Sequence, residues 1–216
     1  MFASIRRYRL VTGSMGELMR RVDESFAEQI AAQEGFVAYH VIELPDDEVV
    51  SVSIFDGPKQ AEASRELAQR WTETELHDMD LQRVEGVRSE IDVCRASEAM
   101  LEPLHAASGS EFCALRFYVL RAGSISDVLR RVDTSFAETV QGIDGFRGYM
   151  LMELGDDEFV SLTFVRDRAG ADASDDAAAR FVSEELADFD IVRTDARSGD
   201  VRVSRACAEL LVPEHA

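Results

Sequence analysis

The chain has 216 residues, enough for one or two domains, and carries 42 acidic against 23 basic side chains for a net charge of −19. Nucleic-acid phosphates are bound chiefly through Lys and Arg, so this balance speaks against a nucleic-acid partner. No apolar run approaches the roughly 18 residues of a membrane span, and Met1–Arg7 lacks the apolar core of a signal peptide, so a cytoplasmic protein with no membrane partner is expected.

The first strand signal is residues 5–11, rich in β-branched, aromatic and long side chains. Ser14-Met15-Gly16-Glu17 then has the spacing of a helix-capping box, and Met15, Leu18, Met19, Val22, Phe26 and Ile30 form a helical apolar stripe that Gly35 stops. Phe36–Leu44 and Val49–Phe55 read as a hairpin around an acidic turn, Asp46-Asp47-Glu48. A second helix is predicted from Pro58 to about His77, with Ala61, Ser64, Ala68 and Trp71 on one face, and a last strand over Ser89–Arg95.

All of this occurs twice. Residues 4–106 reappear at 114–216, shifted by 110 without a gap, with about 40 of roughly 103 aligned positions identical. The expected domains are therefore residues 1–106 and 114–216, joined by a linker over 107–113. Each unit reads strand, helix, strand, strand, helix, strand, the ferredoxin-like βαββαβ order of an α+β fold. The middle strands are apolar on both faces, at Val50, Val52 and Ile54 on one and Val49 and Phe55 on the other. One face is expected to pack under the helices and the other against the second unit, sheet to sheet, as an intramolecular dimeric α/β barrel. Further pairing of two such chains into a homodimer stays open.

The run Gly35-Phe36-x-x-Tyr39, Val50-Ser51-Val52-Ser53-Ile54-Phe55-Asp56, Ala61-x-x-Ser64 and Trp71 resembles the antibiotic biosynthesis monooxygenase superfamily, over essentially the whole of each unit. That resemblance implies a pocket between helices and sheet in which cofactor-independent members oxidise phenols or quinols. The protein would then supply a dry cavity, orientation and polar groups. The candidate catalytic residues are His77, Tyr8 and Trp71. Candidate ligand-binding residues are Tyr39, Ser51 and Ser53, with Tyr118, Tyr149, Ser161, Thr163 and Phe181 in the second unit. No cofactor and no metal are expected, and the partner is a small aromatic molecule.

Two other readings stand beside this. One is a non-catalytic small-molecule-binding or stress-associated protein, since no nucleophile–base pair, metal set or phosphate loop is visible. The other is haem binding or degradation, for which related enzymes use an Asn that this chain does not contain. Among the remaining polar residues, Arg6, Arg116, Arg95 and Arg205 recur in both copies, suited to pairing with nearby acids or to gripping a carboxylate or phenolate bidentately. His105 and His215 read as tail-docking or exposed side chains, and His40 and His77 have no histidine counterpart. Cys94, Cys113 and Cys207 align with non-cysteines and read as reduced thiols.

Overall fold

The computed structural model of the chain describes residues 1–108 and 111–216. In the first copy the elements are β1 (Phe2–Thr12), α1 (Met15–Arg21), α2 (Ala27–Ala31), β2 (Phe36–Glu43), β3 (Glu48–Phe55), α3 (Pro58–Glu75), β4 (Asp80–Glu90) and β5 (Val93–Ala96). The second copy gives β6 (Glu111–Ala122), α4 (Ile125–Arg131), α5 (Ala137–Gln141), β7 (Phe146–Gly155), β8 (Glu158–Val165), α6 (Arg168–Glu184) and β9 (Asp190–Ala206). Of the expected linker, Gly109 and Ser110 lie outside the described residues.

Local chemistry explains the boundaries. Ser14 Oγ accepts the Glu17 N–H at 3.2 Å and Ser124 Oγ that of Asp127 at 3.4 Å, so both predicted caps form. Gly35 and Gly145 end the helical segments at φ +71° and +77°, in the left-handed region that glycine enters without steric cost. Between α1 and α2 the helix widens into one π turn, Val22–Phe26, and Val132–Phe136 repeats it. The hairpin turns place Asp46 and Asp47, and Asp156 and Asp157, at φ between +51° and +61°. Two consecutive left-handed residues are the mark of the tight turn whose twist matches the strands it joins, and Asp tolerates that region better than most residues.

The chain forms two compact units, and they are not simply its two sequence halves. The first comprises Met1–Glu90, Leu101–Ser110 and Gly199–Leu210; the second comprises Ile91–Met100, Glu111–Ser198 and Leu211–Ala216. In the first unit the sheet runs β4-β1-β3-β2, the ferredoxin-like order, and the C-terminal part of β9 adds a fifth strand beside β2. In the second, β5 lies antiparallel beside β7, with Val93 opposite Leu151 and Arg95 opposite Tyr149.

This departs from the predicted last strands. Ser89–Arg95 is not the fourth strand of its own copy; that role belongs to Asp80–Glu90, antiparallel to β1 from Phe2↔Glu90 to Thr12↔Asp80. This strand is mostly exposed, so it has no apolar alternation to announce it. Gly199 marks the place where β9 passes onto β2: a Cβ there would lie 2.0 Å from the Glu43 carbonyl oxygen.

A charged clamp holds each added strand. Arg205 donates to Asp23 Oδ1 at 2.8 Å, His105 Nδ1 lies 3.0 Å from the same oxygen, and the Ala106 N–H donates to Oδ2 at 3.0 Å. Burial pushes the Asp23 carboxyl up, but these hydrogen bonds outweigh it and hold it below the usual value. Arg95, Asp133 and His215 make the same cluster in the second unit. Both aspartates project from the π turns, so the turn and the tail histidine belong to one device.

Cys94 and Cys113 are buried and Cys207 is partly exposed. Desolvation raises Cys94 to about 12, and Cys207 donates to the Phe36 carbonyl at 3.1 Å. No helix among the described residues is long and apolar enough to cross a membrane.

Candidate functional site

Alternation along β1, β2 and β3 turns Tyr8, Tyr39, Val49 and Ser51 toward the helices, as period-2 side-chain placement requires. The α1–α2 segment contributes Leu18 and Phe26, and α3 contributes Trp71 and Leu76. Between them remains a cavity of about 60 Å³. Trp71 packs on Phe26 at 5.0 Å between ring centroids, and Phe26 meets Tyr39 edge-on at 5.4 Å. The indole N–H donates to Ser25 Oγ at 3.0 Å, so this buried aromatic has its polar atom satisfied from the π turn. Trp71 is thus both a core residue and a cavity wall.

The polar groups facing this space are Tyr8, Tyr39, Ser51, Thr72 and Arg6. Burial, reinforced by Tyr8 and opposed by Arg6, pushes the Tyr39 phenol well above its ordinary pKa, so it stays a neutral hydrogen-bonding group. Outside the cavity, between α3 and the β1–β4 edge, an open groove of about 330 Å³ shares Arg6, Tyr8, Ala68 and Thr72 with it. Tyr8 therefore faces both the interior and the groove.

The second unit repeats the arrangement with less room. Tyr118, Tyr149, Ser161 and Phe181 line a cavity of about 30 Å³. Tyr118 stacks on Phe159 with centroids 5.0 Å apart and planes inclined by 13°. Phe159 sits across from Tyr118 on the neighbouring strand, where Val49 sits across from Tyr8. The smaller Val49 leaves the first cavity its additional space, even though Trp71 is bulkier than Phe181.

Eight of the eleven sequence candidates line a cavity, and three do not. Ser53 and Thr163 are fully buried under arginines, receiving Arg6 Nη1 at 3.3 Å and Arg116 Nη1 at 3.2 Å. They anchor guanidinium groups and line neither cavity. His77 is exposed, its Nδ1 lying 2.9 Å from the Thr74 carbonyl. The helix stops at Glu75 and Leu76 takes the inward position, which turns His77 to solvent.

Sequence reading treated Arg6 chiefly as an ion-pair residue and missed Leu81 of β4 in the cavity wall. The parity of Arg6 with Tyr8 along β1 was the available signal.

No protein-family model matches the chain, and no curated protein matches it. Solved structures do. A provisionally assigned monooxygenase from Lactobacillus acidophilus superposes with a TM-score of 0.70 at 11% identity, over 95% of each chain. Another from Fusobacterium nucleatum gives 0.67 at 7% identity, covering 99% of this chain and 94% of that one. A haem-binding protein from Thermus thermophilus gives 0.56 at 14% identity, covering 93% and 90%. At such identities the likeness is one of fold, and the fold is monooxygenase-like α+β.

None of the four histidines lines the first cavity, so a histidine-ligated haem has no axial ligand there. His40 is buried against Ser204, His77 faces solvent, and His105 and His215 are engaged by Asp23 and Asp133.

Proposed function

We propose that the first unit binds a small aromatic molecule of the hydroquinone class and promotes its reaction with dioxygen without a cofactor. In balanced form a hydroquinone and O₂ give a hydroxyquinone and water: one oxygen atom enters the ring and the other leaves as water. The substrate itself supplies all four electrons. What the protein then provides is an apolar enclosure, a fixed orientation and groups that stabilise developing negative charge.

The observation that carries this reading is the combination in one cavity of aromatic walls, Trp71 and Phe26, with four hydroxyl groups and a guanidinium. Tyr8 is assigned the proton transfer because it borders both the interior and the groove; Tyr39 and Ser51 hold the substrate oxygens; Trp71 sets the ring plane. Small-molecule sites commonly occupy about 300–1,000 Å³. The enclosed part is far smaller, so a single ring seated partly in the groove is the size that suits. The tight enclosure favours one second reading, a binding protein that holds such a ring without turning it over.

Oxygen uptake with a panel of hydroquinones tests the proposal. Uptake above the buffer rate, reduced at least tenfold in Tyr8→Phe and in Trp71→Ala and unchanged in His77→Ala, is expected. Uptake absent for every compound, or the same in all three variants, refutes it. Retention of an aromatic in native mass spectra together with absent uptake selects the binding reading.

A further inference from the structure

At the groove beside β4 the two copies differ in the sign of one charge. In the second unit Asp175 of α6 sits between two arginines, accepting Arg116 Nε at 2.9 Å and Arg193 Nη1 at 2.6 Å. Arg116 also donates to Ser174 Oγ at 2.6 Å and Thr163 Oγ1 at 3.2 Å, so this buried guanidinium is fully engaged. In the first unit Arg6 and Arg83 occupy the places of Arg116 and Arg193, but the residue between them is Arg65. The carboxylate that neutralises the cluster in one copy is a third guanidinium in the other.

The rest of the groove does not compensate. Arg6 is 8% exposed, and its side chain donates to Ser53 Oγ at 3.3 Å. Among the described residues neither Arg6 nor Arg83 is joined to a carboxylate. Glu62 is shared between Arg65 and Arg88, and Glu73 at the outer rim accepts from Gln69.

Arg83 is housed by a second substitution. Its guanidinium lies over Gly86, where a Cβ would come within 2.1 Å of Nη2; the second copy has Ala196 there. Arg6, Arg65 and Arg83 all line both the 330 Å³ groove and an adjoining hollow of about 230 Å³. Burial, with Arg83 and Arg65 adding to it, lowers the Arg6 pKa against the opposing effect of Tyr8 and Tyr39. Arg6 and Arg83, joined to no carboxylate among the described residues, sit beside Arg65, which has only a share of Glu62; in a chain of net charge −19 this cluster suits an oxyanion.

We propose that Arg6, Arg65 and Arg83 bind the carboxylate of a small aromatic acid, the ligand supplying in the first unit what Asp175 supplies in the second. The acid lies in the groove and its ring points past Tyr8 toward Trp71. That orientation rests on the aromatic-substrate reading above, whereas the charge pairing does not. An aromatic acid is favoured over a bare inorganic oxyanion because Tyr8, Ala68 and Thr72 continue the groove into the apolar cavity.

Titration calorimetry with benzoate, inorganic phosphate and benzyl alcohol tests this on the intact chain. Benzoate is expected to bind once per chain and at least tenfold more tightly than either of the others. Arg65→Asp rebuilds the second unit's ion triple in the first. It should fold, melt no lower than wild type and bind benzoate at least tenfold more weakly. Asp175→Arg with Ala196→Gly should add a second benzoate site. Benzoate binding that is absent, or equal in wild type and Arg65→Asp, overturns the proposal; phosphate binding more tightly than benzoate overturns the organic-acid assignment. Because the readout is binding, failure of oxygen uptake with hydroquinones would refute the oxidation reading and leave this site standing.

Discussion

Replacing His40 by Met, the residue at the equivalent position 150, should change how stability depends on pH. His40 is fully buried, its Nδ1 3.0 Å from Ser204 Oγ, and desolvation lowers its pKa to about 4. The unfolded chain binds a proton at this imidazole near pH 6.5, while the folded chain resists until about pH 4. Stability from this residue is therefore fully present above pH 6.5 and is lost as the pH falls toward 4, reaching about 2 kcal/mol at pH 5 and about 3 kcal/mol below that. His40→Met removes the dependence but leaves Ser204 without this partner, a pH-independent cost of about 1 kcal/mol. Urea unfolding from pH 8 to pH 5 reads both effects, and the difference between wild type and variant cancels the titrations they share. The variant should start about 1 kcal/mol lower at pH 8 and cross above wild type before pH 5. Two curves that stay parallel over this range would show that His40 is not held neutral by burial, and the reasoning fails.

Asp47→Gly relieves a non-glycine residue at φ 56° and should raise the unfolding free energy by about 0.5–1 kcal/mol, measured by chemical denaturation; a decrease contradicts the turn assignment. Asp23→Ala leaves Arg205 with Glu28 as its remaining carboxylate and should cost about 2 kcal/mol, with faster amide exchange over residues 201–206. A loss below about 0.5 kcal/mol would mean that the clamp does not hold the strand. Val49→Phe copies Phe159 into the first cavity and should abolish aromatic retention and oxygen uptake while leaving the far-ultraviolet spectrum unchanged; unchanged retention or uptake would place the ligand elsewhere.

The parts of the fold that local rules govern were readable in advance. A serine three residues before an acid became a cap, glycine ended each helical segment, and paired acids between apolar runs became tight turns. The strand Asp80–Glu90 was not readable, because a mostly exposed strand has no buried alternation and its partner β1 is about seventy residues away. The clamp on Asp23 was half readable: Arg205 and His105 were noticed as repeated residues, but only the π turn brings the carboxylate to them. Trp71 and Tyr39 stood out by type and stripe, whereas His77 stood out by chemistry alone, and a helix ending two residues earlier turned it outward. The arginine at position 65 looked like any exposed helical charge until Asp175 gave it a counterpart with the opposite sign.

The added strand beside β2 also bears on how the protein is made. When a ribosome has completed the first 106 residues, the free edge of β2 has no neighbour, and it waits until residues 201–206 emerge. At ordinary synthesis rates of 5–20 residues per second that interval is on the order of 10 seconds. Over that time an unpaired apolar edge, Ala38 to Ile42, is open to any other extended segment nearby. Crowded nascent chains of this protein are thus exposed to mispairing at one defined place, and mutations that slow translation of the second copy would lengthen the window.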